Sequence, residues 1–179
     1  KGYPRINPGP GALLTNMSED EIRVAIRDSI ARLPQAVGMN NHMGSAFTAD
    51  AKAMRAVMAE LARNGLFFLD SRTSNVSAAG AAAAEFNVVF LGRHIFLDNV
   101  PEEEAVLMQI RKAERIALKN GAAVAIGHPH PGTLAALERF AKEHAPGLTM
   151  VPVSRLARRV LHQGRTTAST APAADANAP

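Results

Sequence analysis

The sequence predicts an α/β fold in which a parallel sheet of buried strands is covered by helices. Three observations predict it. Short apolar runs and helical patterns alternate about five times along the chain. The runs are apolar at every position rather than at every second one, as strands buried on both faces are. Capping residues and glycines punctuate the helical stretches, which fixes where each begins and ends. A (β/α) barrel and an open doubly wound sheet both satisfy this pattern.

Residues 1–15, KGYPRINPGPGALLT, are rich in Pro and Gly and read as an extended loop. A loop usually connects two elements, so the element before it is expected upstream of Lys1. Ser18 followed by Glu21 forms a capping box that opens a helix to about Leu33. Ala36 to Met39 reads as a short buried strand. Thr48 or Asp50 opens a second helix, DAKAMRAVMAELARNG, with apolar residues at helical spacing and Gly65 at its C′ position. LFFLD (66–70) has the length and composition of a strand, and the Ala-rich Ser77 to Glu85 that of a helix. NVVFL (87–91) and HIFLD (94–98) are further apolar runs. Pro101 at N1, followed by three glutamates, starts a helix that reaches about Asn120, with Gly121 after it. AAVAIG (122–127) reads as a strand, 131–144 as a helix, LTMVPV (148–153) as a strand, and Ser154 as the cap of a last helix ending near Gly164. Residues 1–164 thus form one domain, incomplete at its N-terminus, and the small, polar, Pro-rich 165–179 a disordered tail.

Composition narrows the function. The 179 residues suffice for one domain with a substantial core, and a hydrophobic fraction of 47% is ordinary for a globular protein. Aromatics make up 4% with no Trp, which leaves no stacking platform for single-stranded nucleic acid. The net charge of +4 is scattered; its densest patch, Arg155, Arg158, Arg159 and Arg165, reads as a solvated helix face rather than a nucleic-acid site. The absence of cysteine excludes disulfides, thiolate metal sites and a Cys nucleophile. No apolar run approaches the length of a membrane span. Without GxGxxG or GxxxxGK[ST], a Rossmann or P-loop nucleotide site has no support.

Parallel α/β folds bind ligands at the carboxyl ends of their strands. The residues following the apolar runs are Asn40-Asn41-His42, then Asp70-Ser71-Arg72, then Asp98-Asn99, then His128-Pro129-His130. Each alone has a structural reading: an Asp after a strand is often a turn residue or cap, a lone His a hydrogen-bonded core residue, and Arg72 a partner of Asp70. Their coincidence on one expected rim points to a site. His and Asp are ligands of a water-activating divalent metal such as zinc, a further His can serve as general acid, and an Arg can stabilise charge. His42 and Asp70 are the expected metal ligands; a third is not evident. Asn41 and Ser71, beside them, are expected to contact substrate. His130 is a rim residue that could join the site.

GMNNHMGS, GLFFLDSRTS, FLDN and AIGHPHP, in this order and after YPRINPGPGALLTNMS, resemble the divergent polysaccharide deacetylases, relatives of the NodB-type carbohydrate esterases. The resemblance covers most of residues 1–152 and implies a NodB-like, distorted (β/α) barrel. It also implies metal-dependent removal of N-acetyl groups from a polysaccharide or peptidoglycan, in the periplasm or outside the cell. On this resemblance His42 corresponds to the first of two metal-binding histidines, and the second falls on Ala46. Arg72, Asp98 and His128 correspond to the catalytic arginine, the supporting carboxylate and the general acid. The paired aspartates that open such domains would precede Lys1, on the first strand. Two functions follow: a zinc-dependent deacetylase, or a degenerate binding protein for a glycan or envelope partner on the same fold. A phosphoesterase lacks the carboxylate cluster it would need.

Overall fold

Ser18 sets the start of the first helix, as its spacing from Glu21 requires. Its hydroxyl accepts from the Glu21 N–H, and the Glu21 carboxylate accepts from the Ser18 N–H in return at 2.7 Å. The same backbone bond lowers the Glu21 pKa from its usual value. A computed structural model of the protein describes residues 9–74 and 76–162. The expected tail, the helix end near Gly164 and the first part of the opening loop lie outside the described residues.

The chain divides into two compact units. The first contains Lys1–Leu91 and resumes at Arg159; the second is Gly92–Arg158. In the first, α1 (Glu19–Arg32), β1 (Gly38–Asn40), the short α2 (Ser45–Thr48), α3 (Ala51–Arg63), β2 (Phe67–Asp70), α4 (Ala79–Glu85) and β3 (Phe90–Gly92) follow one another. The sheet order is β1-β2-β3, with β1 parallel to β2 and Asn40 opposite Leu69. A Cβ at Gly38 would overlap the ring of Phe67, so any larger residue there would push that ring aside. Asp50 caps α3 through Ala53 N–H, and Gly65 follows it at φ +65°. α3 buries Met54, Val57, Met58 and Leu61 against Ile22, Ile26, Phe68 and Phe90. Truncating Leu61, which is 0% exposed, to Ala would cost about 2–5 kcal/mol.

Glu60, on the same helix, is buried too and meets α1 through charge. Arg27 grips it with two hydrogen bonds, of 2.8 and 3.0 Å, and Arg63 and Arg23 lie within 3.1 and 3.5 Å. The Arg27 hydrogen bonds, aided by these charges, hold its pKa below the usual value even though burial opposes ionisation.

The second unit contains β4 (Ile95–Phe96), α5 (Glu103–Asn120), β5 (Ala125–Ile126) and α6 (Pro131–Glu143). β4 and β5 are parallel, with Phe96 opposite Ile126. Ile95, Leu97, Val106, Ile110, Ala136 and Phe140 form its core. Gly132 allows α6 to press against the carbonyl of Pro101, a space a Cβ would fill. A last helix, α7, spans Val153–His162.

Three local expectations are corrected. Pro101 precedes the N-cap, Glu102, so α5 starts two residues later than a proline at N1 would put it. Residues 148–152 are not a strand: Met150 and Val151 are exposed, and no strand pairs with them among the described residues. Ser154 lies inside α7 rather than capping it. The class itself is as expected, an α/β fold with parallel strands, but no closed barrel is present among the described residues.

Candidate functional site

In the first unit the pairing register carries the site. Asn40 opposite Leu69 makes Asn41 and Asp70 the first residues past the β1–β2 ladder. Asn41 Nδ2 donates to Asp70 Oδ1 at 3.0 Å, and Asn41 Oδ1 accepts from the Ser71 N–H at 2.6 Å. Ser71 Oγ donates to the Asn41 carbonyl at 2.8 Å and accepts from Asn40 Nδ2 at 2.6 Å. Asp70 is 1% exposed. Its Oδ1 also accepts from the Arg72 N–H at 2.8 Å, and its Oδ2 from Ser77 Oγ at 2.7 Å. Such a cluster is worth keeping buried because its members satisfy one another.

The two loops laced together in this way each carry a non-glycine residue with left-handed backbone: Met43 at φ 54° and Arg72 at φ 48°. That conformation costs about 1–2 kcal/mol per residue, so the hydrogen bonds around it must hold it in place. His42 is exposed and lines a cavity of about 810 Å³ together with Asn40, Asn41 and Ala46 over a floor that includes Met54, Val57 and Phe68. Ala46, in α2, offers no ligand atom.

The second unit repeats the strand-end logic. Leu97 N–H donates to the Ile126 carbonyl at 2.8 Å, continuing the β4–β5 ladder and bringing Asp98 beside His128. Asp98 Oδ2 accepts from the His128 backbone N–H and lies 3.1 Å from His128 Nδ1 and 3.8 Å from His130 Nε2. The Asp98 side chain is fully buried, while those of His128 and His130 are about half exposed, at 44% and 51%. The His-Pro-His sequence folds tightly: the His130 N–H donates to the His128 carbonyl at 2.8 Å, and the two rings stand 5.8 Å apart. Pro131 at N1 starts α6, and His130, the N-cap, makes no side-chain capping bond.

One ligand atom from each of Asp98, His128 and His130 lies within 4.8 Å of the other two. Ligands about 2.1 Å from one tetrahedral ion are about 3.4 Å apart, so small side-chain rotations bring these atoms into range. Asp98 Oδ1 is buried and takes no hydrogen bond among the described residues. An imidazole pair with a carboxylate that keeps an unused oxygen fits a divalent cation, and these three residues could hold one.

The structure therefore gathers the expected site residues into two groups. Asn41, Asp70, Ser71 and Arg72 meet in the first unit; Asp98 and His128 meet in the second. His42 and Asp70 do not appear with a third metal-ligating residue among the described residues. Asp70, expected as a ligand, has its oxygens committed to three internal donors. Arg72 reaches it through the backbone N–H. Sequence reasoning gave His130 too little weight; the signal was the His-Pro-His-Pro run, where Pro131 fixes a helix start just behind the imidazole. His94, by contrast, accepts from the Val124 N–H at 3.0 Å and serves the strand pairing.

Parallel strands that end in carboxylates, amides and imidazoles, with a His/His/Asp set that could hold a cation, are the features of a NodB-like scaffold. The chain belongs to the divergent polysaccharide deacetylase family, which it matches over residues 1–157. It is 39% identical over 160 residues to the uncharacterized protein YibQ of Escherichia coli, covering 89% of this chain and 49% of that protein. An uncharacterized protein of Haemophilus influenzae is 41% identical over 148 residues, covering 83% and 53%. The chain thus spans about half the length of these relatives. The crystal structure of uncharacterized protein ATU2773 from Agrobacterium tumefaciens superimposes with a TM-score of 0.82 at 30% identity, over 87% of this chain and 63% of that one.

Proposed function

We propose that the protein is a zinc-dependent amide hydrolase that removes N-acetyl groups from a cell-envelope polysaccharide or peptidoglycan, in the periplasm or outside the cell. The observation that carries this reading is the convergence of buried Asp98 with His128 and His130, in a family of deacetylase descent. Among the described residues no helix is long and apolar enough to cross a membrane.

Asp98, His128 and His130 are the residues that would hold the zinc. The chemistry such a metal supplies is Lewis-acid activation of water and of the acetamido carbonyl. Burial and the His128 backbone N–H fix Asp98 in one orientation, with Oδ2 3.1 Å from His128 Nδ1, the side-by-side placement that two ligands of one ion need. His128 is thereby assigned to the metal rather than to the general acid. In the first unit, Asn41 and Ser71, expected to touch substrate, are assigned instead to the framework, since their polar atoms bond to each other and to Asp70.

Acetate release from N-acetylglucosamine oligomers by the intact protein tests the proposal. It predicts release that disappears on chelation, returns with zinc, and is lost in His128→Ala and His130→Ala. Oligomer binding by the zinc-loaded protein without acetate release would instead support the second reading, a glycan-binding protein on the same fold, for which the absence of a second histidine at Ala46 speaks.

A further inference from the structure

Phe96 is a large apolar residue on β4 that does not join the core of its own unit. Its neighbours Ile95 and Leu97 enter that core, with Val106, Ile110, Ala136 and Phe140, and Phe96 does not. Strand alternation sends it to the other side, the one Asp98 shares two positions further on. There its ring meets the site. The ring centroids of Phe96 and His128 are 5.6 Å apart with their planes tilted by 57°, and His128 stands in much the same relation to His130, at 5.8 Å and 54°. Tilted pairs at this separation are favourable for aromatic rings. The guanidinium of Arg93 lies over the Phe96 ring, 5.4 Å from its centroid, and the β4–β5 register holds Phe96 opposite Ile126. Arg93, Phe96, His128 and His130 thus form a row that ends in two of the three residues assigned to the metal.

We infer that Phe96 is a positioning residue that holds the His128 imidazole with Nδ1 toward Asp98 Oδ2, in the orientation a shared cation needs. The inference rests on the assignment of Asp98, His128 and His130 to the metal made above. A histidine ring turns about its last torsion in a broad, roughly two-fold well, and a half turn puts a carbon where Nδ1 was. The His128 side chain is 44% exposed, so solvent leaves much of it unconfined. The 3.1 Å approach of Nδ1 to Asp98 Oδ2 does not supply the hold. A ligating Nδ1 carries no proton to donate, and before a cation arrives its lone pair opposes those of the carboxylate. A ring packed against the imidazole works in either state, because it needs no proton.

Zinc affinity of the intact protein, read by competition with a chromogenic chelator, tests this. Phe96→Leu replaces much of the apolar volume without the ring. It should weaken zinc binding about tenfold while leaving the urea midpoint of the metal-free protein within about 1 M of the parent's. Phe96→Tyr restores the ring and should bring the affinity back to within about threefold of the parent. A Phe96→Leu that binds zinc like the parent, a larger drop in its urea midpoint, or a Phe96→Tyr as weak as Phe96→Leu overturns the inference. If Phe96→Leu does not fold, Phe96→Met takes its place with the same expectations. If the parent binds no zinc, the metal assignment fails, and the inference is read from a crystal structure of metal-free Phe96→Leu: a His128 ring turned so that Nδ1 leaves Asp98 upholds it, and an unchanged ring overturns it.

Discussion

In the first unit Asp70 accepts three hydrogen bonds, whereas in the second Asp98 turns Oδ2 toward two half-exposed imidazoles and keeps Oδ1 buried without a hydrogen bond, both among the described residues. Both aspartates sit just beyond a parallel strand pair, and both are buried. In the sequence each follows an apolar run, Asp70 expected as a metal ligand and Asp98 as a supporting carboxylate. What separates them is saturation. A buried carboxylate whose lone pairs are filled by protein donors has no capacity left for a ligand and serves the framework. One left partly unfilled, next to imidazoles, is suited to a cation.

Four substitutions can break or sharpen this contrast. The largest effect is expected from Asp98→Ala, which should weaken zinc binding by about 100-fold or more in a competition titration with a chromogenic chelator. Asp70→Ala should leave that affinity within about threefold, since no ligand is lost. Its cost should be in stability, about 2–4 kcal/mol in urea unfolding, because three donors lose their acceptor in a buried site. A large loss of zinc affinity with Asp70→Ala would erase the distinction between the two aspartates.

The third effect concerns pH. The Glu60 pKa is lowered in the folded state, chiefly by the hydrogen bonds from Arg27. Its contribution is therefore present above the usual glutamate value of 4.5 and is lost as pH falls through the lowered one. Glu60→Gln should cost about 2–3 kcal/mol at neutral pH and flatten the stability profile on the acid side, as read by urea midpoints from pH 7 to 3. An equally steep profile would assign the acid sensitivity to other groups. Ser18→Ala should be the mildest, about 1 kcal/mol from the lost cap, with the zinc site unchanged.

Much of this fold was legible in the sequence because local chemistry decided it. The Ser18 box, the Asp50 cap, Gly65 and Gly121 end or start helices by backbone bonds that need no distant partner. LTMVPV misled because apolar composition does not make a strand without another strand to pair with. At the site, the residue types past each strand were legible, and their bonding was not. Whether Asp70 or Asp98 is saturated depends on Asn41, Ser77 and His130, which lie 29, 7 and 32 positions away from them, and on a register that composition does not encode.

The central claim is that Asp98, His128 and His130 hold the metal. Anomalous diffraction at the zinc edge from crystals of the zinc-loaded intact protein tests it most directly. The account predicts one peak about 2.0–2.3 Å from a carboxylate oxygen of Asp98 and from a ring nitrogen of each of His128 and His130. A peak coordinated by His42 or Asp70 without His130 would contradict it.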